Sequence, residues 1–64
     1  MEKKQLRQVK QGELFKLKES ESAPVWVRDE YDREGRKYLT HKFDDANHWS
    51  ARKGTLEVFV GFTF

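Results

Sequence analysis

The sequence has no cysteine, a single proline and no long hydrophobic run. Without cysteine no disulfide can brace the chain, and a Cys-ligated zinc is excluded. The richest apolar stretch, Leu56 to Phe64, is far shorter than the ~20 residues a membrane helix needs, so no membrane partner is expected. Met-Glu-Lys-Lys at the start leads into no apolar run, and nothing reads as a signal peptide. The expected compartment is the cytoplasm. The four glycines, Gly12, Gly35, Gly54 and Gly61, are dispersed, so no glycine-rich phosphate loop is present. There is no cysteine nucleophile and no Ser/His/Asp spacing of note, and a chain of 64 residues has little room for a concave pocket of the usual ~300 Å³ or more. A non-enzymatic module with no cofactor is expected.

Charge of one sign is also missing as a block. The net charge of +2 is a mixture. Residues 1–24 carry six basic and four acidic side chains, residues 25–45 five and six, and residues 46–64 two and one. No basic tail exists, so a one-sided patch for nucleic acid can come only from the fold.

What the chain does have is aromatic mass, nine Phe, Trp and Tyr residues. A domain this small buries only roughly 60% of its unfolded surface, and large rings bury the most area per residue. Helical periodicity is poor. Glu2 to Lys10 offers only Leu6 and Val9 as an apolar pair, so residues 1–8 read as a flexible arm. Period two is clear. Thr55 to Phe64 places Leu56, Val58, Val60, Phe62 and Phe64 on one face, rich in β-branched and aromatic residues.

Further strands are expected over residues 13–18, 25–32, 36–44 and 48–51, with turns at Lys10-Gln11-Gly12, Asp45-Ala-Asn47 and Arg52-Lys-Gly54. Pro24 stands at the mouth of the second, where proline is tolerated. Five short strands with turns about every ten residues predict an all-β domain, specifically a five-stranded, mostly antiparallel SH3-like or OB-like barrel. Its expected core is Phe15, Leu17, Val25, Val27, Leu39, Phe43, Val58, Val60 and Phe62, with Trp49 closing one end.

Asp32-Arg-Glu-Gly35 suits a hairpin turn with Gly35 in the left-handed conformation. That turn sets Tyr31 opposite Lys37, Glu30 opposite Tyr38, Arg28 opposite Thr40, Trp26 opposite Lys42 and Val25 opposite Phe43. The Val25, Val27, Leu39, Phe43 side is the more aliphatic and is expected to face the core. The other side, with Trp26, Arg28, Tyr38 and Lys42, would face water. Two rings beside two cations can stack bases and hold phosphates, so these four are candidate residues for single-stranded nucleic acid. Trp26 opposite Lys42 is equally a cross-strand pair that stabilises a sheet without a ligand, and Glu30 in the same patch would repel phosphate. The other candidate partner is a protein, including a second copy paired through the C-terminal strand, whose apolar end is a self-pairing edge. His41 and His48, with Asp44 and Asp45 between them, match no defensible metal spacing, and a solvated turn explains them.

The segments Val9–Lys18 ("VKxGExFxLK"), Val25–Arg33 ("VWVRxxYDR") and Val60–Phe64 ("VGFTF") resemble a group of short bacterial single-domain proteins. The resemblance implies a free-standing small domain and brings no activity, cofactor, partner or functional residue with it.

Overall fold

A computed structural model describes residues 1–63; Phe64, expected to share the inward face of the last strand, lies outside them. The described residues form one antiparallel sheet. Its strands are β1 (Glu2–Gln5), β2 (Leu14–Lys16), β3 (Val25–Asp32), β4 (Lys37–Lys42), β5 (Asp45–Arg52) and β6 (Glu57–Val60), and a single 3-10 turn spans Leu6–Gln8. The order across the sheet is β1-β6-β2-β3-β4-β5. No described helix is long and apolar enough to cross a membrane.

The five expected strands are all present, and β1 is an addition. Residues 2–5, expected in an arm, pair with β6 from Glu2↔Val60 to Gln5↔Glu57. The reason is not visible in their own composition. Val58 and Val60 supply the apolar surface, and Leu6 and Val9 anchor the segment that follows. Leu6 N–H donates to Leu56 O (2.8 Å) and Arg7 N–H to Gly54 O (3.0 Å), fastening the 3-10 turn across the β5–β6 connection. β6 therefore lies between β1 and β2, with Phe59 opposite both Lys3 and Lys16. It is not the free edge expected of it. The described sheet is open, its edges being β1 and β5, so the expected closure into a five-stranded barrel is not seen.

The core consists of Leu6, Val9, Phe15, Trp26, Val58 and Val60, with Leu17 and Tyr38 packed against it. Phe15, Val58 and Val60 are where expected. The two faces of the β3–β4 hairpin are exchanged. Trp26, expected in water, is 6% exposed, and Phe43, expected in the core, is 48% exposed. Val25, Val27, Leu39 and Phe62 are half-buried. Trp49, expected to close the core, is 66% exposed. It stands opposite His41 on the outer face, which no further layer covers. Ring area decides the exchange. One indole buries more apolar surface than a valine, Phe15 is its direct cross-strand partner, and the arm delivers Leu6 and Val9 to the same side. Counting aliphatic residues within the hairpin alone misses all three contributions.

The hairpin register is as expected from Trp26↔Lys42 to Arg28↔Thr40 and then slips to Tyr31↔Tyr38 and Asp32↔Lys37. Two residues of β3, Asp29 and Glu30, oppose the single Leu39. This is a β-bulge, which re-aims the side chains beyond it. The turn lies one residue further along than expected. The left-handed residue is Arg36 (φ 54°), not Gly35. Glycine at 35 answers a different need: a Cβ there would stand 2.7 Å from Asp32 Oδ2, while Asp32 Oδ1 accepts the Glu34 N–H (3.2 Å). A left-handed non-glycine costs about 1–2 kcal/mol, partly offset by glycine's greater unfolded-chain entropy. Arg36→Gly is therefore expected to stabilise the domain by about 0.5–1 kcal/mol, raising the thermal midpoint by a few degrees. An unchanged or lower midpoint would show that the turn holds Arg36 without strain.

Candidate nucleic-acid interface

The inner face of β3, β4 and β5 continues past the core as a strip of rings and guanidinium groups. Alternation brings Arg28, Tyr38, Thr40 and Lys42 to this side together with Trp26, and pairing with β4 adds Ser50 and Arg52 from β5. The bulge adds Tyr31, whose ring centroid lies 4.7 Å from that of Tyr38. Counting back from Tyr31, alternation puts Glu30 on the opposite face. The acid expected to repel phosphate is thereby removed from the strip.

Each arginine of the strip lies over a ring. Arg28 Cζ is 4.5 Å from the Tyr38 centroid, and Arg52 Cζ is 4.4 Å from the Trp26 centroid. His48 meets the Trp26 ring edge-on, with centroids 5.5 Å apart. Arg52 is also fixed by its Nε–H, which donates to Thr40 Oγ1 (3.2 Å). That hydroxyl in turn donates to Ser50 O (2.8 Å). Burial lowers the Arg52 guanidinium pKa from its ordinary value through desolvation, yet arginine stays charged at any physiological pH. Tyr38 is seated by Gly54, where a Cβ would come within 2.8 Å of its ring and 3.1 Å of Arg7 Cβ. The glycine permits that close approach.

No carboxylate answers these cations. Among the described residues the charged pairs are Lys3 Nζ–Glu57 Oε2 (3.3 Å) and His41 Nδ1–Asp29 Oδ2 (2.7 Å). The second lies on the outer face. Arg28 Nε is buried without a hydrogen-bond partner. Arg28, Arg52 and Lys42 thus present positive charge on a face rimmed by rings, with Tyr31 44% exposed.

The four residues singled out from sequence, Trp26, Arg28, Tyr38 and Lys42, do share one face. Their exposures differ: Arg28, Tyr38 and Lys42 are half-buried, while Trp26 lies beneath Arg52 and His48 and cannot offer its ring face to a base. Tyr31, His48 and Arg52 are the residues sequence reasoning missed. Tyr31 reaches the strip through the bulge and Arg52 through the extension of β5, while His48 lies in the strand expected there and was read only as part of a solvated turn. The two histidines lie on opposite faces of the sheet, His41 with Asp29 and His48 with Trp26. Among the described residues no group of three or more His, Asp or Glu could hold a metal ion.

Beside Trp26 an open groove of about 500 Å³ is lined by Leu17, Lys18, Ser20, Ser22, Ala23, Pro24 and Trp26. Comparison with protein-family models, curated proteins and solved structures gives no match.

Proposed function

We propose that this chain is a small non-enzymatic binding module for single-stranded nucleic acid, held on the strip of Arg28, Tyr31, Tyr38, Lys42 and Arg52. One observation carries the reading: two arginines stacked on rings, with no carboxylate paired to either or to Lys42. Here eleven Asp and Glu residues leave the strip unneutralised. Phosphates would bridge the cations, and bases would stack on Tyr31, the exposed ring of the strip, worth about 1–3 kcal/mol per base.

Titration with short single-stranded oligonucleotides at two salt concentrations tests this. Affinity is expected to fall steeply between them, since displaced counterions drive phosphate binding. An affinity indifferent to salt, or no binding at low salt, sinks the reading.

A second reading is supported by the eight-residue edge of β5 and by Trp49, which stands exposed beside it. An open strand edge is a template for another chain, so β5, and not the C-terminal strand, is where a second copy would pair. A mass in solution equal to twice the monomer, lost on Ser50→Pro, supports pairing at β5. A monomer at all concentrations dismisses it.

A further inference from the structure

Trp26 is 94% buried by its 6% exposure, yet its one polar atom has no partner. Among the described residues the cation–ring and ring–ring contacts of the Trp26 side chain come from Arg52 and His48, and no hydrogen bond reaches its nitrogen. The indole Nε1–H donates to nothing, and it is not among the unpartnered atoms sealed from solvent, which are Gln5 Oε1 and Arg28 Nε. Tryptophans of a core usually satisfy this donor, and here only solvent can. The donor is therefore open to solvent, and the residue that carries it lines the groove.

The groove carries further polar groups at fixed places. Ser20 Oγ and Ser22 Oγ lie 3.0 Å apart, and Ser22 N–H donates to Ser20 Oγ (3.3 Å). Their loop is held from behind by buried Lys16, whose Nζ donates to Ser20 O (3.1 Å) and Glu21 O (3.2 Å). Leu17, Ala23 and Pro24 supply apolar walls. Lys18 stands at the rim, Lys42 is the direct cross-strand partner of Trp26, and Arg52 covers its ring. Trp26 brings a hydrogen-bond donor, Leu17, Ala23 and Pro24 are apolar, two hydroxyls can donate or accept, and the surroundings are cationic.

We infer that the groove receives one nucleobase of a bound single strand. An in-plane carbonyl or ring nitrogen of the base would accept the Trp26 Nε1–H, its other edge would meet Ser20 and Ser22, and its phosphate would lie toward Lys42 and Arg52. The inference rests on the function proposed above. It gives Trp26 a role that its burial does not forbid, hydrogen bonding at the ring edge in place of stacking on the ring face.

The test uses the ¹⁵N-labelled full chain and the two indole N–H resonances, titrated with a thymidine pentanucleotide and with its abasic counterpart of equal phosphate count. The base-bearing strand is expected to shift the Trp26 resonance progressively, while Trp49 moves little and the abasic strand moves neither. Ser22→Ala, a change at an exposed residue, is expected to weaken binding of the base-bearing strand at least threefold and to leave the thermal midpoint unchanged. Three outcomes overturn the inference: a Trp26 indole that does not move while the oligonucleotide binds in a salt-dependent way, equal shifts with both strands, or an indole that answers an extended peptide and no oligonucleotide. The first leaves the proposed function standing. Absence of any oligonucleotide binding removes both.

Discussion

Trp26→Ala is expected to remove a large part of the domain's stability, before any question of binding arises. The indole is the largest side chain of the core, in direct contact across the strands with Phe15. Truncating a buried Phe or Trp to Ala costs about 3–5 kcal/mol, because the transfer energy of the ring is lost and a cavity remains. A domain of 64 residues holds about 3–10 kcal/mol in all, and this one has no disulfide in reserve. Removal of the ring also takes away the surface on which Arg52 rests. The measurement is urea unfolding followed by far-ultraviolet circular dichroism, beside Trp49→Ala as the contrast. Trp49 is 66% exposed, and its loss is expected to cost under about 0.5 kcal/mol. Near-equal effects of the two, or a folded Trp26→Ala within about 1 kcal/mol of the parent, would put the wrong tryptophan in the core.

That contrast shows where sequence reasoning succeeded and where it stopped. Strand existence was legible because alternation and turn residues are local. Val25–Asp32 was predicted with the bounds it has, and the Trp26↔Lys42 register came out as expected because the bulge offsets the one-residue shift of the turn. Which face turns inward was not legible, because the decision is made by residues far away in sequence. Leu6, Val9, Phe15, Val58 and Val60 all converge on Trp26, and none of them is adjacent to the hairpin. Arg28 and Arg52 can lie on that same side because their stems pack along rings while their charged ends reach water. The bulge at Asp29 and Glu30 was equally hidden. No glycine marks it, and it alone moves Tyr31 onto the strip and Glu30 off it. The candidate site was therefore half visible. Its four residues from β3 and β4 were placed on one face as observed, while the contribution of Arg52 depended on β5 running on to that residue, where a turn was expected.

The second large effect concerns that contribution. The double variant Arg28→Gln/Arg52→Gln is expected to lose about a hundredfold or more in oligonucleotide affinity at low salt, as each charge-assisted hydrogen bond is worth about 1.5–3 kcal/mol. Glutamine keeps much of the aliphatic stem, so the packing over Tyr38 and Trp26 is disturbed less than alanine would disturb it. The slope of log affinity against log salt reads charge directly. Each phosphate contact on a single strand contributes about 0.7 to it, so losing two lowers it by about 1.4. A variant that merely misfolds would lose affinity without that defined change in slope, and its thermal midpoint would fall as well. Lys3→Gln is the matching control: it removes a cation of the outer face, paired with Glu57, and is expected to move the slope hardly at all. If Lys3→Gln and the arginine pair change the slope alike, binding is spread over the whole surface by net charge and the strip has no special standing. If only the pair acts, the unneutralised arginines are where the phosphates lie.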